Sequence, residues 1–295
     1  MRSYPPRVDR GFDSRHIPDL EDRVAEDWTT KIKTGVPNPA RIYDYFLGGK
    51  DNFPADREVA EQVLAIAPVA RDVVEDNRAF LRRVVRFLTR EAGIRQFIDL
   101  GSGLPTQGNV HEIAQVIAPD ARVVYVDNDA MVVTHSRALL AGDNTLAIQA
   151  DLREPDSIFG HPEIRELIDF QQPIALLLMA ILHFIPDDQD PLGIVARFRD
   201  GLPAGSYLAI SHGTRDIPMR SDMSAPKMAE MGVKVERLYQ LTTASLVTRT
   251  RAQVERFFDG LEVLDPGLVE IQQWRPDLQS SRLPGGFYGG VGRKH

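Results

Sequence analysis

The sequence predicts an α/β fold, a doubly wound and mostly parallel sheet preceded by a helical segment. Three observations carry this. From residue 95 onward, short apolar runs alternate with helical stretches at the spacing of strand–helix–strand crossovers. The runs are apolar on both faces, as strands covered on both sides require. The first run leads into a glycine turn, DLGSGLPT at 99–106, set between a strand and a helix.

The elements follow in order. Residues 1–35 mix Pro, Arg and Asp with few apolar side chains and read as a flexible arm, with Trp28 anchoring a short helix over 20–31. Residues 36–53 (VPNPARIYDYFLGGKDNF) gather Tyr43, Tyr45, Phe46 and Phe53 around a Gly48-Gly49 break. A helix is expected over 56–67, ended by Pro68. A second over 70–91 repeats Val73, Val74, Phe80, Leu81, Val84, Val85 and Leu88 on one stripe and stops at Gly93. Residues 36–92 therefore read as a helical cap, and 93–295 as a core that forms one structural domain with it. In the core, strands are expected over 96–100, 122–129, 145–151, 174–182 and 206–213. Helices are expected over 109–117, 130–140, from 151 towards 168, and 191–201. A polar, Met-rich section follows Gly213. Thr250 with Gln253 three residues on is a capping box that opens another helix. Two strands, 261–269 and 286–291, close the chain around a loop holding Trp274 and Pro276.

Composition excludes several chemistries. The 295 residues contain no cysteine, so disulfides, thiolate zinc sites, iron–sulfur clusters and thiol nucleophiles are all ruled out. The 35 Lys+Arg against 42 Asp+Glu leave a net charge of −7, which argues against sequence-independent nucleic-acid binding. The N-terminus has no apolar h-region. The most apolar run, 174–182, ends at His183, far short of the roughly 20 residues of a membrane span. A cytoplasmic protein without membrane partners is expected. No His/Asp/Glu grouping has metal-ligand spacing, so no metal is expected.

The strand ends carry the nucleotide-binding signal. Gly101 and Gly103 let the backbone turn sharply and approach a ligand. Asp127, at the end of the second strand, is placed to accept hydrogen bonds from ribose hydroxyls. The third glycine of a dinucleotide fingerprint is missing, with Pro105 and Thr106 in its place, so a pyrophosphate cradle and a nicotinamide dehydrogenase are disfavoured. Asp99 before the first glycine and Asp151 after the third strand match the acids that serve the methionine end and the adenine amino group in methyltransferases of this architecture. A cationic sulfonium ligand suits such a carboxylate-rich pocket. Ser102, Asn128, Leu152 and Ala180 complete the expected cofactor contacts.

Four blocks together resemble the actinobacterial S-adenosyl methyltransferase family, first described as a domain of unknown function. They are NPARIYDYFLGGKDNFPADRE (38–58), DLGSGLPT (99–106), VVYVDND (123–129) and ALLLMAILHFIPD (175–187). The resemblance runs from about residue 36 to residue 293. It implies a class I Rossmann-like methyltransferase fold, with a seven-stranded sheet whose last strand, here FYGGVG (287–292), is antiparallel. It also implies S-adenosyl-L-methionine as cofactor and S-adenosyl-L-homocysteine as product, and leaves the acceptor open.

The acceptor half is less defined. Methyl transfer from a sulfonium mainly needs alignment and exclusion of water, plus a base where the acceptor has a high pKa. His183, just after the fourth strand, is the best-placed base candidate; packing behind the cofactor is its alternative. His212 is a second. The motif at 179–184 lacks Asp/Asn-Pro-Pro-aromatic, which argues against exocyclic amine methylation. Arg41, Tyr43, Tyr45, Gly48, Gly49, Lys50 and Asn52 are lid candidates, with Gly48-Gly49 as a hinge and Arg41 or Lys50 meeting a carboxylate. A packed cap is the equal alternative. Residues 219–241 stand where substrate-recognition insertions occur, and their methionines suit a plastic apolar pocket. The expected function is methylation of a small-molecule acceptor. A non-catalytic S-adenosylmethionine or S-adenosylhomocysteine-binding regulator is the alternative. The oligomeric state is left open.

Overall fold

The computed structural model describes residues 33–106, 108–139, 142–216, 225–276 and 285–295. The helix expected over 20–31 with Trp28, nearly all of the N-terminal arm, and residues 219–224 of the Met-rich section lie outside them.

Among the described residues three helices precede the sheet: α1 (Pro39–Phe46), α2 (Pro54–Ile66) and α3 (Ala70–Arg90). Each starts where local chemistry dictates. Asn38 caps α1 by accepting the Ala40 N–H at 2.8 Å, and Pro39, whose missing N–H costs nothing there, follows it. At α2, Pro54 again opens the helix, and Asp56 in its first turn accepts the Phe53 N–H at 2.8 Å. In α3 the predicted apolar stripe is buried.

The core alternates as expected: β1 (Gln96–Leu100), α4 (Val110–Ile117), β2 (Arg122–Asp127), α5 (Ala130–Leu139), β3 (Thr145–Gln149), α6 (Pro155–Gly160), α7 (Pro162–Leu167), β4 (Ala175–Met179), α8 (Pro191–Gly201) and β5 (Tyr207–Gly213). Next come α9 (Ala225–Tyr239), α10 (Arg251–Glu255), β6 (Glu262–Val263), β7 (Val269–Glu270) and β8 (Phe287–Arg293). Sheet order is β3-β2-β1-β4-β5-β8-β6, with β7 also on β8. Strands β1 to β5 pair in parallel, and β8 runs antiparallel to β5, with Tyr207 opposite Arg293 and Gly213 opposite Phe287. This is the class I methyltransferase arrangement. Strand order reverses between β1 and β4, so a ligand crevice belongs at their carboxyl ends.

Several boundaries depart from expectation, among them the second strand, which ends at Asp127 rather than at 129. The run 174–182 is a strand only to Met179. Ala180 turns out of it at φ 55°, and Leu182–Phe184 forms a 3-10 turn. The third strand stops at Gln149, two residues before Asp151. The helical stretch before residue 168 is two helices, because Pro162 interrupts it. The single strand expected over 261–269 is two, β6 and β7, separated by a turn at Gly267 with φ 89°. Among the described residues the sheet therefore has eight strands, not seven.

Two layers cover the sheet. On one face Phe80, Leu81, Val84, Val85 and Leu88 of α3 pack on Phe97, Val123, Leu177 and Ala209. Trp274, fully buried, meets Phe80 and Phe87 edge-on at 5.5 and 5.8 Å. On the other face Ile158, Ile164 and Phe198 cover Ile98, Val124, Leu176 and Leu208. A third cluster joins Ile42 and Phe46 of α1, Val59 and Val63 of α2, and Val74 of α3 to Tyr239 of α9. The later helix thus packs with the N-terminal ones above the sheet's carboxyl edge. Among the described residues no helix is long and apolar enough to cross a membrane.

Candidate active site

The crevice is built from the ends of β1, β2 and β4. After β1, Gly101 adopts φ 67° and Gly103 φ 65°. A Cβ on Gly101 would lie 2.3 Å from Cγ1 of Ile181, so glycine is required by close packing as well as by conformation. Gly103 differs: a Cβ there meets nothing within 4 Å and faces open space. The loop is pinned by hydrogen bonds. Gly101 and Ser102 donate their N–H groups to Val126 O at 2.8 and 3.2 Å. Gly103 donates to Asp127 Oδ2 at 2.9 Å, while Asp129 N–H donates to Asp127 Oδ1 at 2.9 Å. The Asp127 carboxylate thereby joins the loops after β1 and β2. Burial pushes its pKa up to about 6 against these N–H donors.

Asp99 is 7% exposed. Burial pushes its carboxyl up to about 7; the Arg78 guanidinium opposes this and the Asp127 charge adds to it. Asp99, Arg78, Ser102, Gly103, Asn109, Tyr125 and Ser136 line a small pocket that opens to solvent. Two buried hydroxyls in this loop, Ser102 Oγ and Thr106 Oγ1, have no hydrogen-bond partner among the described residues. A buried unpaired hydroxyl costs free energy and marks a place for a polar ligand. Tyr125 closes the pocket wall, its hydroxyl accepting the His111 N–H at 2.9 Å and contacting His111 Nδ1 at 2.8 Å.

The other predicted cofactor residues are placed less uniformly. The Asp151 carboxylate, beyond β3, is held by Arg153 Nε at 2.9 and 3.0 Å, and this pairing pulls its pKa down. Leu152 is buried beside Ile148, and Asn128 is exposed. Ala180, in its left-handed turn, donates its N–H to both Oγ and O of Ser211, at 2.9 and 3.1 Å.

His183 is 4% exposed, and its Nδ1 accepts the Gly213 N–H at 3.1 Å. Burial first, then the charges around His212 and Arg249, hold its pKa well below the usual range. The neutral ring with Nδ1 as acceptor carries its proton on Nε2, so it has no lone pair left for a substrate proton. His183 packs edge-on to Phe184, His212 and Phe287 at 4.5, 5.4 and 5.5 Å. His212 is also committed. It donates from Nδ1 to Gly213 O at 2.7 Å and accepts Arg249 Nη1 at 2.9 Å, with a pKa pushed down to about 3, mainly by burial.

The cap residues are engaged in contacts of their own. Arg41 is 2% exposed and does not face the pocket. It donates to Asp56 at 2.8 Å and Val36 O at 2.6 Å, and lies 3.8 Å from Asp129 Oδ2. Asn38 Nδ2 reaches the same Asp129 oxygen at 2.8 Å. Arg41 therefore ties the cap to the loop after β2. Gly48 and Gly49 close α1, donating to Tyr45 O and Asp44 O at 3.0 and 2.9 Å. A Cβ on Gly49 would lie 1.9 Å from Asp44 Oδ1, whereas one on Gly48, at φ 78°, meets nothing within 4 Å, so close packing requires glycine at 49 and the left-handed turn favours it at 48. Asn52 Nδ2 donates to Asp44 at 2.8 Å, Tyr45 pairs with Glu61, and Lys50 is exposed. Tyr43 Oη donates to Val74 O at 3.1 Å and accepts Asn77 Nδ2 at 3.0 Å.

Sequence reasoning missed Arg78 and Asn77. The signal was available for Asn77, which falls in register with Val73, Val74, Phe80 and Leu81 on the apolar stripe of α3. A polar residue there has to find a buried partner. Arg78 has no such signal among the several arginines of α3. Among the described residues no group of three or more His, Asp or Glu could hold a metal ion.

Residues 25–295 match a family model described as S-adenosyl methyltransferase. A DUF574 family protein from Streptomyces avermitilis is 42% identical, superposes with a TM-score of 0.82, and is matched over 89% of this chain and 99% of its own. A candidate methyltransferase from Thermobifida fusca is also 42% identical, with a TM-score of 0.78 over 88% of this chain and 96% of its own. No curated protein matches the chain.

Proposed function

This chain belongs to the S-adenosyl methyltransferase family, and we propose that it methylates a small-molecule acceptor, with the cofactor seated between Asp99, the Gly101–Gly103 loop and Asp127. It is an S-adenosylmethionine-dependent methyltransferase of class I fold. The cofactor supplies an electrophilic methyl group on a sulfonium and leaves as S-adenosylhomocysteine. The observation that carries the placement is the unpartnered Ser102 hydroxyl, buried in a pocket that Asp99 and Arg78 also line, at the point where strand order reverses.

The roles follow from charge and position. Asp99 and Arg78, of opposite sign on one pocket wall, suit the ammonium and carboxylate of the methionine end; Arg78 takes the part that Arg41 cannot. Asp127 accepts Gly103 on one oxygen and Asp129 on the other, with the Asn128 N–H also bonding to it, and the carboxylate keeps a lone pair for a ribose hydroxyl. Asp151 serves the adenine amino group once Arg153 yields it. Residues 36–66 with α9 form the lid over the acceptor, where Tyr43, Phe184 and Tyr239 join one apolar cluster that excludes water. The net charge of −7 and this apolar lid support a small molecule rather than a nucleic acid.

Asp127→Ala is expected to weaken S-adenosylhomocysteine binding by more than ~1 kcal/mol, the scale of hydrogen bonds to a charged group. Calorimetry reads this, with thermal shift against NAD as the contrast. Stabilisation by NAD alone would remove the placement. For the acceptor, a metabolite extract is incubated with protein and methyl-labelled cofactor. Label in small molecules is the expected result, and label confined to macromolecules overturns the acceptor class.

A further inference from the structure

We infer that Asn77 and Ser211 are positioning residues for the cofactor loop, acting through the backbone turn at Ala180. The inference rests on the placement of the cofactor proposed above and adds a mechanism to it. A directed chain of buried hydrogen bonds runs from the cap to the end of β4. Tyr43 Oη donates to Val74 O, which obliges it to accept from Asn77 Nδ2. That fixes the amide of Asn77, so its Oδ1 faces Ser211 and accepts the Ser211 hydroxyl at 2.6 Å. Ser211 Oγ in turn has a lone pair free, and accepts the Ala180 N–H at 2.9 Å. No member can reverse its polarity without leaving a buried group unpaired, since Asn77 is 3% exposed and Ser211 0%.

The far end of this chain is where it matters. Ala180 has φ 55°, a left-handed conformation that a residue with a Cβ avoids unless its surroundings hold it. The Ser211 hydroxyl and carbonyl hold it by sharing its N–H. The next residue, Ile181, packs directly on Gly101, so closely that no Cβ fits between them. The turn at Ala180 therefore sets Ile181, Ile181 sets Gly101, and Gly101 sets the loop whose Gly103 and Ser102 face the pocket. Through Tyr43 the same chain registers whether the cap is seated. Cap and cofactor loop form one unit, although neither Asn77 nor the Ser211 side chain lines the pocket.

Calorimetric titration of the full-length protein with S-adenosylhomocysteine tests this, alongside melting temperature. Ser211→Ala is expected to weaken binding about tenfold, and Ser211→Thr, which keeps the hydroxyl, to restore it to within about threefold. Ala180→Gly placed in the Ser211→Ala protein should recover most of the loss, because glycine adopts the turn unaided. Tyr43→Phe and Ser211→Ala, whose side chains are joined through Asn77, should weaken binding less together than the product of their single effects. Should Ser211→Ala lower melting temperature but leave affinity unchanged, the chain is structural only and the inference fails. Multiplicative single effects, or no rescue by Ala180→Gly, overturn it as well. Failure of the wild-type protein to bind would instead overturn the cofactor placement.

Discussion

Gly101→Ala is expected to cost more than about 100-fold in S-adenosylhomocysteine affinity while the sheet stays folded. Two penalties fall on the same atom. A Cβ at φ 67° costs about 1–2 kcal/mol of backbone strain. It would also stand 2.3 Å from Cγ1, 2.6 Å from Cδ1 and 2.9 Å from Cβ of Ile181. Contact with Cβ means that a rotamer change does not clear the overlap, and forced overpacking costs a further 1–3 kcal/mol, approximately. The loop can relieve both by moving away from Ile181. That movement breaks the N–H donations to Val126 O and opens the Gly103–Asp127 link, the features proposed to hold the cofactor. Most of the cost therefore appears in binding, and a few degrees appear in melting temperature. Gly103→Ala is the informative comparison. Its Cβ enters open space, so its effect on stability is the backbone strain alone, and any loss of affinity reports how closely the ligand approaches. Calorimetry and thermal melting on both variants decide the matter; near-wild-type affinity for Gly101→Ala would sink this account.

The fold was legible where local chemistry and tertiary structure agree. Strands β1, β2, β4 and β5 are apolar on both faces because helices cover both sides, and the helix opened by Thr250 starts at its capping box. Reading failed where a distant bond overrides a local run. IALLLMAIL looks like one strand, yet it ends at Met179, where the Ser211 hydroxyl, 31 residues on, captures the Ala180 N–H. The three acids at strand ends were legible, and two of them, Asp99 and Asp127, lie at the pocket and its loop. The choice between Arg41 and Arg78 was not. Both are arginines on helices before the sheet, and only the pairing of Arg41 with Asp56 and Asp129 removes it from the pocket. The packing of α9 on the N-terminal helices was invisible for the same reason: Tyr239 and Val235 find α1 and α2 through contacts that no periodicity encodes.

Raising the pH from 5 to 8 is expected to lower the stability of the ligand-free protein and to raise its stabilisation by S-adenosylhomocysteine. The sign follows from two buried carboxyls. Asp99 is pushed up to about 7 and Asp127 up to about 6, both first by burial, against about 4 for an unfolded carboxyl. Between those limits the folded state holds protons that the unfolded state has released. The resulting stability is complete below about pH 4 and is lost as pH rises through 6 and 7. Three units at Asp99 correspond to ~4 kcal/mol, an upper figure because Asp99 and Asp127 influence each other's ionisation. Ligand binding has the opposite preference. An ammonium group and ribose hydroxyls are best received by ionised carboxylates, so affinity grows while stability falls. Melting curves from pH 5 to 8, with and without S-adenosylhomocysteine, should therefore diverge as pH increases. Asp99→Asn removes most of the titrating burden, and is expected to melt higher than the wild type at pH 8 but to gain little from the ligand. Asp151→Asn is the control. Arg153 holds that carboxyl below its usual range, so its stability contribution is lost only as pH falls, outside this window. If the wild-type curves stay parallel across the range, Asp99 and Asp127 do not titrate against the cofactor. If Asp99→Asn diverges as the wild type does, the linkage belongs to Asp127 alone.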